Sequence, residues 1–316
     1  MNNQTYNLAF VFPGQGSQSV GMLNDLAASY PEVKHTFERA SDALGKDLWS
    51  IVATGSEEEL NQTHNTQPAM LAAGVAVWEV WCKHSNVRPA WMAGHSLGEY
   101  TALVCSDAMS FEDGIKLVAA RGQLMQEAIP LGIGAMAAIL GLEDHQVVKL
   151  CVDAAEGEII SAANFNSPGQ VVIAGNAAAV ERVMLAAKAA GAKRAVLLPV
   201  SVPSHCALME SAAKKLDEKL QNTVIDTPKM TLIHNVDVAS HSAPEVIRNA
   251  LKEQVYKPVR WSSSIEFMHY QGVTCFVECG PGKVLIGLNK RIVKDAAHLS
   301  IYDPGTLNAA LEKLSG

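Results

Sequence analysis

Trp91-Met92-Ala93-Gly94-His95-Ser96-Leu97-Gly98-Glu99-Tyr100 is the stretch around which the chain is organised. An apolar run ends at Gly94, a serine follows two positions on, a second glycine two after that, and a helical pattern begins near Tyr100. G-x-S-x-G between a strand and a helix sets a serine on a sharp turn with its hydroxyl exposed. Such a turn has no room for flanking side chains, which glycine at 94 and 98 satisfies. The helix starts beneath the serine, so its first free N–H groups and its dipole face any oxyanion formed there. Ser96 is therefore the candidate nucleophile. The alternative is a glycine-rich turn with an incidental serine.

Working outward, 316 residues at 48% hydrophobic and 18% charged can bury one large core or two smaller ones. The net charge of −7 argues against non-specific nucleic-acid binding and against a cationic membrane surface. The first seven residues lack the basic and apolar regions of a secretory signal. The longest apolar run, Ala69 to Trp78, is too short to span a bilayer and reads as a buried helix. Six cysteines show neither a disulfide framework nor C-x-x-C pairing, so the expected setting is a reducing cytoplasm with no metal site. Cys275 and Cys279 would share one face of a buried strand.

Leu8–Phe12 reads as a strand buried on both faces, followed by the turn Pro13-Gly14-Gln15-Gly16-Ser17-Gln18. The turn fails the dinucleotide fingerprint, because Ser19 stands where the third glycine belongs, and it lacks the Gly-Lys-Ser/Thr of a phosphate loop. Its backbone N–H groups could still face a site at the carboxyl end of a strand. Helical patterns cover 32–44, 57–61 and 67–83. Ser110, with an acid three residues later, starts a helix that runs to about Ala128. Val118, Arg121 and Met125 share one stripe of it, and an arginine on an apolar stripe needs an anion. That anion could be a structural carboxylate or a substrate.

From 134 to 200 the pattern is strand, helix, strand, strand, helix, strand, with Asn166-Ser167-Pro168-Gly169 as a hairpin turn. This βαββαβ order predicts a small ferredoxin-like subdomain at 132–200, inserted into a large domain formed by 1–131 and 201–316. Strands over 230–236 and 274–278 alternate with helices, one of them over 244–255. The large domain is thus expected to be α/β-hydrolase-like, with a mostly parallel sheet. His205 lies on the Pro-rich return between the two units, at the head of a helix running to about Leu220, where sites tend to form. His95 adjoins Ser96, but neighbouring side chains on such a turn are expected to point apart. Cys206 is a weaker nucleophile candidate, with nothing local to lower its pKa.

With these pieces placed, the chain resembles the malonyl-CoA:acyl carrier protein transacylases, an acyltransferase family of bacterial fatty-acid synthesis. Acyltransferase domains of polyketide synthases are less close. The resemblance rests on seven ordered matches: Phe12–Gln18, Gly94–Glu99, Arg121, Asn164–Gln170, Val202–His205, Gln254 with Tyr256–Val259, and Gly280–Gly282. It implies that Ser96 is acylated, that His205 is the general base, and that Gln15 and Leu97 give backbone N–H groups to the oxyanion. It further implies that Arg121 pairs with the malonyl carboxylate and that the Gln254 backbone carbonyl orients His205. Asn164 and Met125 would line the pocket. Ser204 stands where malonyl-selective polyketide domains commonly carry phenylalanine, which favours the free-standing branch.

The implied donor is malonyl-CoA and the implied acceptor is the phosphopantetheine thiol of holo-acyl carrier protein, with no bound cofactor and a ping-pong cycle. Lys283, Lys290, Arg291 and Lys294 are the candidate docking patch for that acidic partner; an ordinary solvated helix face is the alternative. A serine hydrolase would share Ser96 and His205 but want an acid on the histidine and have no use for Arg121. A catalytically silent scaffold subunit would not need any of the three.

Overall fold

The computed structural model describes residues 6–200 and 202–314. Five of the seven residues on which the expectation of no secretory signal rests, and Ser201 on the return loop, lie outside the described residues. Among the described residues the strands are β1 (Leu8–Phe12), β2 (Trp91–Gly94), β3 (Gly134–Leu140), β4 (Ile160–Ser167), β5 (Gln170–Asn176), β6 (Arg194–Leu197), β7 (Thr231–Ile233), β8 (Cys275–Cys279) and β9 (Ala297–Ile301). They form two sheets, so the fold is mixed α/β.

The larger sheet has the order β7-β2-β1-β8-β9, and every neighbouring pair is parallel. β1 lies at its centre and all five of its residues are buried, as a strand covered on both faces requires. Cys275 and Cys279 are buried on β8 in the same cluster of the core. Because β1 and β2 run side by side in parallel, both release their chains at the same edge of the sheet. The turn after Phe12 and the turn after Gly94 therefore meet there, at the carboxyl ends where open α/β sheets hold ligands.

Two helices, Thr63–His84 and Phe111–Glu127, pack against each other beside that edge. The first is buried on nearly every side, which accounts for its near-continuous apolar sequence. Gly122 sets their separation, because a Cβ there would lie 2.7 Å from the Thr63 carbonyl oxygen. The close approach brings Arg121, one residue earlier, against Gln67. The Phe111 helix starts as expected, with the Ser110 side chain accepting from the Asp113 N–H.

The smaller sheet has the order β4-β5-β3-β6 and is antiparallel throughout. One face (Ala137, Ile139, Val171, Ile173) packs on the helices Asp144–Asp153 and Ala177–Ala189. The other (Met136, Ala163, Val172, Ala174) packs on Cys206 and turns toward the larger unit. Two backbone bonds fasten β4 to the following segment of that unit: Phe165 N–H to Val259 O and Val259 N–H to Ala163 O, each 2.9 Å. Asn164, between them, is pinned.

Several boundaries differ from the sequence expectation. The helix read from Gln67 begins at Thr63, and Pro68 sits inside it. The strand read over 230–236 pairs only over Thr231–Ile233. β9 and the helix Trp261–Tyr270 had no clear counterpart in the reading.

Candidate active site

Ser96 is held at φ 52°, ψ −108°, a conformation that L residues avoid and that sharp nucleophile turns impose. The two glycines are sterically obligatory. A Cβ on Gly94 would stand 1.8 Å from the Gly98 carbonyl carbon, and one on Gly98 would stand 2.0 Å from the Phe12 carbonyl oxygen. A side chain that the sequence reading passed over closes the turn. Asn235 accepts from the Ser96 N–H at 2.8 Å and donates from Nδ2 to the Gly94 carbonyl at 2.7 Å. The Ser96 N–H is thereby used up. Leu97 and Gln15 line one cavity with Ser96, and among the described residues neither of their N–H groups has a hydrogen-bond acceptor.

His205 joins Ser96 from the loop by which the chain returns from the smaller sheet. Its backbone also has positive φ, 63°, and its N–H donates to the Val255 carbonyl at 3.0 Å. The ring Nδ1 lies 2.6 Å from the Gln254 carbonyl, an oxygen that can only accept, so the proton sits on Nδ1. Nε2 then carries the free lone pair and takes a hydrogen bond from Ser96 Oγ at 2.8 Å. Burial, followed by the positive charge of Arg121, pulls the His205 pKa down to about 3. The imidazole is neutral at physiological pH, as a general base must be.

Arg121 is 2% exposed. Nη1 donates to Gln67 Oε1 at 2.8 Å, and Nη2 donates to Gln254 Oε1 at 3.0 Å and to Ser96 Oγ at 3.2 Å. Among the described residues no carboxylate forms an ion pair with it, and Nε has no hydrogen-bond partner. The structural salt bridge that the sequence left open is absent there. A buried guanidinium held by neutral oxygens and by the Tyr100 ring 5.4 Å away, with no ion-pair partner among the described residues, is a place for an anion.

These groups line one cavity of about 190 Å³ between the two units. Gln15, Leu97, Met125, Asn164, Ser204 and His205 all face it, with an apolar wall that includes Met136, Val172 and Val202. Gln254 is fully buried behind the arginine and the histidine rather than on the cavity wall. His95 is among the residues that line the same cavity, and its ring Nε2 meets Asn166 Oδ1 at 2.8 Å, whereas Ser96 Oγ meets His205 and Arg121. Cys206 is 1% exposed, donates to the Pro203 carbonyl, and has its thiol pushed up to about 11 by burial. It is no competing nucleophile. Gln67, Asn235 and the interior Glu99 escaped the sequence reading. Only Glu99, inside the serine motif, carried a positional signal. Among the described residues no group of three His, Cys, Asp or Glu side chains is placed to hold a metal ion.

A strained serine, a neutral histidine and two unpaired backbone N–H groups carry the chemistry of acyl transfer on an α/β scaffold with one parallel and one antiparallel sheet. The chain matches the acyl transferase domain family over residues 9–303 and belongs to it. It is 56% identical over 304 residues to the malonyl CoA-acyl carrier protein transacylase of Escherichia coli (strain K12), covering 96% of this chain and 98% of that one. It is similar to the crystal structure of an acyl carrier protein S-malonyltransferase from Vibrio cholerae, with a TM-score of 0.94, 56% identity, and coverage of 96% and 99%. It is also similar to a malonyl-transacylase solved in complex with a type II PKS acyl-carrier protein, with a TM-score of 0.96, 54% identity, and coverage of 97% and 99%.

Proposed function

We infer that the chain is an acyltransferase that moves malonyl from malonyl-CoA to the phosphopantetheine thiol of acyl carrier protein, supplying malonyl thioester for fatty-acid synthesis. The carrying observation is the Ser96 hydroxyl shared between His205 Nε2 at 2.8 Å and an Arg121 that has no carboxylate partner among the described residues.

The steps follow from the geometry. His205 Nε2 takes the Ser96 proton as Oγ attacks the thioester carbonyl, and the Leu97 and Gln15 N–H groups meet the oxyanion. The tetrahedral adduct expels the CoA thiolate, which recovers the proton from His205, and malonyl remains on Oγ. The carrier thiol then enters, gives its proton to His205 and attacks the ester, and Ser96 leaves with that proton. Arg121 holds the malonyl carboxylate through both halves by parallel N–H···O bonds, a geometry lysine cannot reproduce. Asn164 and Met125 shape the wall around the acyl group.

A thiolate is a good leaving group, so Ser96, His205 and the backbone donors suffice without a resident cofactor. We read the smaller unit as a ferredoxin-like insertion over 132–200 and the remainder as α/β-hydrolase-like, a reading supported by the βαββαβ order and by the serine turn after β2. A cytoplasmic setting accords with six free cysteines, and no described helix is long and apolar enough to cross a membrane. A hydrolase of the Ser-His-Asp type would place a carboxylate on His205 Nδ1, where this chain has the Gln254 carbonyl.

Intact mass after incubation with malonyl-CoA tests the assignment. Wild type should gain one malonyl group, Ser96→Ala none, and His205→Ala should acylate roughly 10²–10⁴-fold more slowly. Full-speed labelling of Ser96→Ala would overturn it.

A further inference from the structure

Behind the reacting groups lies a buried carboxylate that the transfer steps do not use. Glu99 is fully buried and accepts three hydrogen bonds: from His234 Nδ1 at 2.7 Å, from the Asn235 N–H at 3.0 Å and from Gln254 Nε2 at 2.8 Å. We propose that Glu99 is the positioning residue for malonyl selection: its carboxylate fixes which way the Gln254 side-chain amide points, and Gln254 so oriented holds Arg121 beside Ser96.

The two ends of an amide have opposite hydrogen-bonding character. Gln254 Nε2 faces the Ser96 carbonyl at 2.9 Å and Glu99 Oε2 at 2.8 Å, both of which only accept. Its Oε1 faces Arg121 Nη2 at 3.0 Å, which only donates. Reversed, the amide would set NH2 against a guanidinium and an oxygen against a carboxylate. Each contact would then be repulsive in an interior without water to relieve it. Glu99 is itself braced. His234, also fully buried, stacks on His241 with ring centroids 5.1 Å apart, and His241 Nε2 lies 2.6 Å from Asp237 Oδ2. The third bond holds Asn235, whose side chain closes the Ser96 turn. One carboxylate thus ties the nucleophile, the Gln254 that orients the base and the carboxylate clamp into one arrangement.

The proposal rests on reading Arg121 as the malonyl clamp, so the decisive readout is the malonyl-to-acetyl ratio of kcat/KM in the purified full-length enzyme. General loss of folded protein lowers both donors together and leaves the ratio alone. Glu99→Leu should reduce the ratio by about tenfold or more, the weight of one hydrogen bond to a charged group. Glu99→Gln should hold it within about threefold of wild type, by the usual margin for an uncoupled change. Its oxygen can still accept from Gln254, while its NH2 meets His234 Nδ1 once the proton moves to Nε2, an atom without a partner among the described residues. Adding Glu99→Leu to Gln254→Leu should change the ratio by less than about threefold, because the two act in series. Should Glu99→Leu not fold, Glu99→Asp draws the carboxylate back by one methylene and is expected to lower the ratio in its place. An unchanged ratio in the Leu or Asp variant, or losses that multiply in the double variant, would overturn the proposal. Arg121→Ala run alongside separates the two ideas. If it too keeps the malonyl preference, the clamp reading has failed; if it alone abolishes the preference, only the role of Glu99 has.

Discussion

Removing the Arg121 side chain perturbs substrate binding and internal electrostatics at once, and the two can be measured apart. In the free enzyme the guanidinium spends its donors on Gln67, Gln254 and Ser96, all neutral oxygens. On acylation a carboxylate replaces part of this set. Each hydrogen bond to a charged group is worth roughly 1.5–3 kcal/mol, but the exchanged neutral bonds offset part of a two-pronged contact. A net loss of about 3 kcal/mol is reasonable, or roughly a hundredfold in kcat/KM for malonyl-CoA, with a single bond setting the floor near tenfold. Acetyl-CoA has no carboxylate to lose, and its transfer should hold steady or improve. Arg121→Lys should recover only part of the malonyl activity, since its ammonium is a point charge without the planar fork.

Stability supplies the second measurement. No described carboxylate is orphaned by Arg121→Ala, and a buried unpaired charge is relieved. The melting temperature should therefore stay within a few degrees of wild type, on the scale of about 1 kcal/mol or less. Steady-state transfer with both donors, together with a thermal melt, decides the matter. Parallel loss of malonyl and acetyl transfer with a lowered Tm would refute the clamp and return Arg121 to a structural role.

Four further outcomes follow from the same geometry. Because burial and Arg121 hold His205 down to about 3, single-turnover acylation should show no loss across the ordinary histidine range, about pH 5.5–7.5, and in Arg121→Ala the acid limb should move upward. The same group binds a proton in the unfolded chain below about 6.5 but not in the fold, so its contribution to stability is complete above that pH and is lost as pH falls toward 3; a melt series that gains stability on acidification through this window would contradict it. Gly98→Ala should lower Tm despite a helix-propensity gain of about 1 kcal/mol, because its Cβ would stand 2.0 Å from the Phe12 carbonyl oxygen; an unchanged melt would show that the turn is slack. Lys283, Lys290, Arg291 and Lys294 are all exposed, so reversing Lys290 and Arg291 to glutamate should raise KM for acyl carrier protein and flatten its salt dependence; an unmoved KM would leave the patch without a role.

What the sequence disclosed divides along physical lines. Ser96 was legible because a nucleophile on a tight turn forces glycine at fixed offsets, and Arg121 because a charge on an apolar stripe conflicts with its surroundings. The element order from 134 to 197 was legible because each strand and helix keeps its own period and is punctuated by Gly, Asn or Pro. Gln67, Asn235 and Gln254 act through neutral amides, which carry no such conflict, and the resemblance reached only the backbone of Gln254. Their roles depend on contacts between residues 54 to 158 positions apart. β9 escaped because Ala297–Ser300 is only half-buried and neither alternates cleanly nor runs apolar. The strand read over 230–236 was too long because the chain turns after Ile233, where the His234 N–H bonds the Ala239 carbonyl, and this delivers Asn235 to the serine turn.

The absence of a carboxylate on His205 fits the clamp rather than weakening the base. In a Ser-His-Asp triad the acid orients the imidazole and stabilises the imidazolium. Here an acid on Nδ1 would share a dry pocket with Arg121, which lies within hydrogen-bond reach of the same Ser96 Oγ that His205 engages. The acid and the arginine would attract across a low-dielectric gap, and the arginine's charge would be partly neutralised before substrate arrived. The malonyl carboxylate would then meet both a satisfied arginine and a repelling anion. A backbone carbonyl at 2.6 Å fixes the same tautomer and ring orientation without adding a charge. The cost is a weakly basic histidine, and a thioester tolerates that cost because its leaving thiolate needs little help. Glu99, the buried carboxylate tied to Gln254, acts on Arg121 through space and through the Gln254 amide but makes no ion pair with it, so the guanidinium's donors stay available to substrate.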